Sequence, residues 1–231
     1  MSLRRKALVP RHLFAALAIA AACAAYAEDT DACGGGWEMD PAVELHYREL
    51  GVASAEKQLQ EGRYDDAAAT VLRVIPHVAN YDAPPGDAVI GRAMRVLAVS
   101  TARQHGELDI AKQVPDYLHA SWLGEKKEDQ TKNLEYSVRI LRAIHKNKKD
   151  DAVAQSELGE ALAKMDSTRE EGRKMLEKLA KKDLLPSPEA YKALAELRAA
   201  KGDASGQKVA LQRCRAMAKD AKICKAGSAQ S

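Results

Sequence analysis

Two consecutive stretches in the second half of this chain repeat one another. The first reads AVAQSELGEALAKMDSTREEGRKMLEKLAKKDLLP and the second SPEAYKALAELRAAKGDASGQKVALQRCRAM. Leu158-Gly159 and Leu194-Ala195 take the same place in each, so the period, 158 to 194, is 36 residues. That length belongs to helix-turn-helix units, which cannot bury an apolar face singly and must stack on neighbours. The fold class expected is therefore all-α, an α-solenoid of antiparallel helical hairpins with about eight or nine helices. Local signals agree with this period. Asp150-Asp151 reads as a cap, Ser167-x-x-Glu170 as a capping box, Ser187-Pro188-Glu189 as a strong helix start, and Lys201-Gly202-Asp203 as a hairpin turn.

Composition points the same way once the first residues are set aside. Arg4, Arg5, Lys6 and Arg11 precede an apolar run from Leu13 to Ala25, and Ala25-Tyr26-Ala27 has the small-x-small pattern of a cleavage site. Residues 1–27 read as a secretory signal, with an apolar run too short to span a bilayer. Arg4-Arg5 leaves a twin-arginine signal open, and Cys23 leaves open a lipid anchor. The only Phe of the chain, Phe14, lies in that segment. An interior built of Leu, Ala, Val, Ile and Met suits close helix packing better than a β-sandwich. Removing four basic residues leaves 32 basic against 33 acidic, so the pI near 8.6 belongs to the targeting segment. A nucleic-acid-binding protein would carry its basic excess in the mature part.

Residues 28–39 are polar and glycine-rich and read as a flexible lead; residues 40–220 read as the repeat domain, clearest at 151–218, and 221–231 as a tail. Asp40-Pro41 predicts a helix start, and apolar spacing carries the helix from Val43 to Leu59, where Gly62 ends it. A return helix is expected to about Ile75, then a loop over Val78–Gly86, then a helix from Asp87 to about His105. Gly106, Leu108 and Ala111 repeat the spacing of Gly62, Tyr64 and Ala67 and predict a second hairpin turn, its return helix broken near Val114 by Pro115. Helix resumes from Leu134. Its stripe of Leu134, Val138, Leu141 and Ile144 leaves Arg139, Arg142, Lys146, Lys148 and Lys149 off the stripe or at the C-terminal end. Such a run is either a solvated helix end or a site for phosphate or an acidic partner.

Through Leu158-Gly159, Leu176 and Pro186 in one unit and Leu194-Ala195, Gly202 and Leu211 in the next, the chain resembles tetratricopeptide repeats. Gly62, Tyr64, Ala67, Gly106 and Ala111 extend the resemblance toward the N-terminus. The repeats are degenerate: Gly172 stands at an alanine position after a one-residue insertion, and Gln207 stands at the next. The resemblance implies a concave groove lined by the first helix of each hairpin. In this sequence that groove would hold Glu49, Val52 and Glu56, then Ala93, Val96, Ser100 and Arg103, then Ser156, Glu160 and Lys164, then Lys192 and Glu196. Members that clamp a peptide carboxylate use Lys and Asn there, and no Asn stands at these positions. The partner implied is a protein or peptide.

Three cysteines follow the signal: Cys33, Cys214 and Cys224. A straight helix through Cys214 and Cys224 would hold them about 15 Å apart, beyond the roughly 7 Å Cα limit of a bridge. Ala210, Cys214, Met217, Ala221 and Cys224 do form a helical stripe, the pattern of two buried thiols. A disulfide between Cys214 and Cys224 is the favoured expectation, and it requires the chain to turn back after about Asp220; Cys33 is then the odd thiol. No His-Glu-x-x-His, phosphate loop, Cys-x-x-Cys or Gly-x-Ser-x-Gly is present. The acidic pairs Asp65-Asp66, Asp150-Asp151 and Glu170-Glu171 sit at expected helix starts, where capping explains them. The reading is an exported, periplasmic or secreted, non-enzymatic scaffold that uses no metal or cofactor. Its rivals are a small envelope enzyme acting on cell wall through two convergent carboxylates, and a lipoprotein of outer-membrane assembly machinery.

Overall fold

The computed structural model describes residues 40–110, 113–114 and 127–225. The chain divides into two compact units, Met1–Pro41 and Ala42–Ser231; all described residues except Asp40 and Pro41 lie in the second. The described residues are all-helical: α1 (Pro41–Gln60), α2 (Tyr64–Val74), α3 (Ala88–Arg103), α4 (Lys127–Asn147), α5 (Ala152–Ala163), α6 (Arg169–Lys181), α7 (Pro188–Ala200) and α8 (Ala204–Met217). Short 3₁₀ turns occupy Val78–Asn80 and Ala221–Cys224.

Helix starts follow the side chains that can cap them. Asp87 accepts from the Val89 and Ile90 amides at 2.7 and 3.1 Å, and Asp151 from Val153 and Ala154 at 2.8 and 3.1 Å. Ser187 accepts from Ala190 ahead of Pro188, whose missing N–H costs nothing at a helix start. The capping box expected at Ser167 does not form. Thr168 holds the N-cap position without a side-chain cap bond and donates its hydroxyl to the Leu162 carbonyl at 2.8 Å, which ties the turn to the end of α5. Gly62 (φ 77°) and Gly202 (φ 75°) end α1 and α7 in the left-handed conformation. At the latter, Gly202 N bonds Ala199 O at 2.9 Å and Asp203 N bonds Arg198 O at 2.9 Å, closing the helix before it reverses.

Two sequence expectations are corrected in the middle of the chain. Residues 107–110 are not helical: Leu108 and Ile110 are buried in irregular backbone, and the Asn133 side chain donates to the Gly106 carbonyl at 2.8 Å. The helix that packs on α3 is therefore α4, and it begins at Lys127, seven positions before Leu134. From residue 129 onward, the first buried side chains of this helix are Asn133 and Leu134. Pro115, Trp122 and the broken helix expected there lie outside the described residues, as do the signal, the lead, Cys23 and Cys33.

From α2 onward each helix packs on its sequence neighbour, α5 also packs directly on both α3 and α7, and Gly51 of α1 lies against Val74 of α2. The core has two parts. One joins α1 to α5 through residues such as Leu72, Met94, Leu97, Ile140, Leu158 and Leu162; the other joins α6, α7, α8 and the tail through Leu176, Leu194 and Cys214. Complete burial of each such Leu contributes about 1.5–3 kcal/mol. At the α5–α6 crossing the backbones approach through glycine. A Cβ at Gly172 would stand 2.8 Å from both Gly159 O and Ala163 N, so the insertion noted in this repeat keeps a small residue at the contact.

The C-terminal end turns back. Ala218 is extended (φ −73°, ψ 129°), Asp220 caps a 3₁₀ turn by accepting from Lys222 N at 2.8 Å, and Cys224 reaches Cys214 with Cα atoms 5.8 Å apart in a disulfide. The straight-helix alternative is excluded, and both cysteines are buried against α7.

Candidate functional site

The residues assigned from the repeat pattern to a partner groove converge, but mostly on one another. Arg103, at the end of α3, donates from Nε to Glu160 Oε2 at 3.0 Å and from Nη2 to Oε1 at 3.4 Å. Its Nη1 stands 3.9 Å from Glu189 Oε1 on α7, and its guanidinium lies 5.7 Å from the Tyr64 ring centroid. Tyr64, which opens α2, donates its hydroxyl to Glu189 at 2.6 Å, and Ser187 Oγ donates to Glu160 at 3.2 Å. One cation and two carboxylates thus gather residues from α2, α3, α5 and α7. An array whose hairpins touched only their neighbours would keep residue 64 from residue 189. Here they are hydrogen-bonded.

This hub is buried, with side-chain exposures of 11% for Arg103, 4% for Glu160 and 13% for Glu189. Burial pushes the Glu160 carboxyl above the ordinary carboxylate range, and the neighbouring Arg103 pulls it back. Burial opposes the Arg103 charge, but the two carboxylates outweigh it and hold the guanidinium firmly charged. Burial likewise raises the Tyr64 hydroxyl, keeping it a donor.

Further pairs extend from the hub along the first helices. Arg92 of α3 reaches Glu56 of α1 at 2.5 Å, Arg95 donates to the buried Glu157 of α5 at 2.8 Å, and Lys164 of α5 meets Glu196 of α7 at 3.3 Å. Lys192 stands 3.8 Å from Glu196 within α7. Burial pushes the Lys164 ammonium down while Glu196 opposes the shift. The expected groove is thus corrected in its deepest part: Arg103 and Glu160 are locked together, and Val52, Ala93, Val96, Ser100 and Ser156 are completely buried between helices. Glu56, Lys192 and Glu196 retain partial exposure, at 23%, 27% and 31%.

Sequence reasoning missed Tyr64, Glu157, Ser187 and Glu189 as members of this network. A signal was present in α5: AVAQSELGEALA is apolar nearly all round, so an acid inside it must meet a cation from a neighbour. Glu160 and Glu189 are two acids that converge in the fold. They face a shared guanidinium in the interior, whereas a glycosidase pair faces a substrate cleft. Among the described residues, no three His, Cys, Asp or Glu side chains are grouped to hold a metal ion, and no helix is long and apolar enough to cross a membrane.

The open concavities lie elsewhere, between the second helices of successive hairpins. A cleft of about 490 Å³ is bounded by the end of α4, the α4–α5 turn and α6. Lys149, Lys174, Lys178 and Lys182 stand over an apolar floor that includes Met175, Leu179 and Leu184. A second cleft, about 360 Å³, continues along α4 past Glu135, Val138, Arg139 and Arg142 to Met165 and Thr168. The Arg142–Glu171 ion pair, 2.5 Å, ties α4 to α6 beside both clefts. Comparison with protein-family models, curated proteins and solved structures returned no match.

Proposed function

We propose that this chain is an exported helical-repeat scaffold, tetratricopeptide-like in its hairpins and without enzymatic activity, that engages a protein partner at the cell envelope. The observation that carries the reading is the layered packing of α3, α5 and α7, tied together by the Arg95–Glu157, Arg103–Glu160 and Lys164–Glu196 pairs. Such a layer fixes the first helices rigidly and leaves the second helices to present surface. The Cys214–Cys224 staple suits an oxidising compartment, and the signal-like residues 1–27 agree with it. The hub is buried and its charges pair with one another, so partner contact falls outside it.

In producing cells, a photo-crosslinking residue at Lys192, Glu196, Arg139 or Lys178 tests the proposal. A discrete protein adduct from at least one position in the envelope fraction is expected. No adduct from any position, or a mature mass that retains residues 1–27, contradicts it. A mature mass beginning at lipidated Cys23 would move the protein to the lipoprotein reading.

A further inference from the structure

The larger cleft along α4 and α6 holds charge that the fold does not consume. Lys149, Lys174, Lys178 and Lys182 are exposed and make no ion pair among the described residues. The larger cleft has two carboxylates, Asp150 and Glu171, and Glu171 already belongs to Arg142. Lys174 and Lys178 share one ridge of α6, and Lys182 follows at its C-cap. The fold sets the basic end of α4 and its turn, read in sequence as either a solvated helix end or a site for phosphate or an acidic partner, against that ridge. Elsewhere some exposed cations have acids at hand, as Arg63 with Glu61 and Asp66 and Lys201 with Glu170, while others, such as Lys57, Lys208 and Arg215, make no ion pair among the described residues. The difference lies in position. Here four ammonium groups rim one concavity.

The floor narrows the occupant further. Met175 and Leu179 are partly or fully buried beneath the rim, and Leu184 is 47% exposed at its edge. An inorganic polyanion has nothing to place on such a floor. A peptide has an apolar side chain to set there and carboxylates to set against the rim. The smaller cleft continues the seam with Arg139 and Arg142 beside Val138 and Met165, its two cations already paired with Asp82 and Glu171.

We propose that the α4–α6 seam is a docking groove for an acidic peptide segment bearing an apolar side chain, its carboxylates facing Lys149, Lys174, Lys178 and Lys182. This rests on the scaffold reading and names the partner's chemistry and its place. Binding of this kind weakens with salt, since exposed charges are screened within about 8 Å at physiological ionic strength.

Selection of a random displayed peptide library on the intact mature protein, and on K174E/K178E, tests it. Both lysines are exposed, so circular dichroism of the variant should match wild type. The expected result is enrichment of sequences rich in Asp and Glu around a Leu, Ile, Met or aromatic residue. A synthetic peptide of that kind should bind wild type and bind K174E/K178E at least about tenfold more weakly. Its Glu→Gln version and its apolar→Ser version should each lose affinity as well. Enriched sequences without acidic residues, or binding unchanged in K174E/K178E, overturn the groove while leaving the scaffold standing. No enrichment on either protein also overturns the groove, and the scaffold then stands or falls with the crosslinking test. Binding of phosphatidylglycerol vesicles that K174E/K178E abolishes, with no peptide selected, assigns the lysines to a lipid surface and overturns the peptide.

Discussion

Replacing Arg103 by Met keeps the apolar stem and deletes the charge at the hub. Two charge-assisted bonds to Glu160 are lost, at 3.0 and 3.4 Å, together with the contact to Glu189 and the stacking on Tyr64. Hydrogen bonds to charged groups are worth about 1.5–3 kcal/mol and a cation–π contact about 0.5–1 kcal/mol. Leaving a buried carboxylate without its partner costs about 3–5 kcal/mol, and the separate contributions, about 3.5–7 kcal/mol when simply added, overlap that range at its upper end. At roughly 3 °C per kcal/mol for a domain of this size, thermal unfolding should move down by about 9–15 °C. The pH dependence has a definite sign. Glu160 has a folded pKa raised by burial, so its favourable contribution is present below the unfolded carboxyl value near 4.5 and is lost as pH rises through the folded value. Without Arg103 that folded value moves higher still. The deficit of R103M relative to wild type should therefore be smaller at pH 4.5 than at pH 7.5, and R103M/E160Q should recover part of it at pH 7.5. Urea titrations at both pH values measure this. A deficit under about 0.5 kcal/mol, or one unchanged with pH, would refute the hub as an electrostatic clamp.

Three further outcomes follow from particular contacts. Y64F removes the donor to Glu189 and should cost about 1–2 kcal/mol in urea titration, whereas Y47F, on the exposed face of α1, should leave stability unchanged. G172A forces a methyl group onto α5 backbone atoms at 2.8 Å and should lower Tm despite the better helix propensity of Ala; G91A, with its nearest contact at an ordinary 3.8 Å, should raise it. C214S/C224S should cost about 2.5–3 kcal/mol by the chain-entropy estimate, read from the urea midpoint.

The hairpins α1–α2, α5–α6 and α7–α8 were legible because capping residues, glycine stops and apolar period agree there within a few residues. Gly106 misled because it too adopts positive φ (85°), yet the chain after it runs non-helical through Leu108 and Ile110. A turn glycine specifies the end of one helix and says nothing of how soon the next begins. The hub was half legible. The repeat resemblance brought Arg103, Glu160, Lys164, Lys192 and Glu196 to one side of the first helices, where they pair. It gave no hint of Tyr64 reaching Glu189, because how helices distant in sequence pack depends on side-chain volumes summed over several crossings. The cationic groove was legible only in halves, the end of α4 and the ridge of α6, since nothing in either segment specifies the other as its neighbour.

Amide hydrogen exchange of the mature protein, alone and saturated with a selected acidic peptide, sets the two faces against each other most directly. Slower exchange confined to residues 135–149 and 171–184 is the result expected for a groove along the α4–α6 seam. Slowing confined to residues 49–56, 93–103 and 190–196 would return the binding face to the first helices and contradict the account.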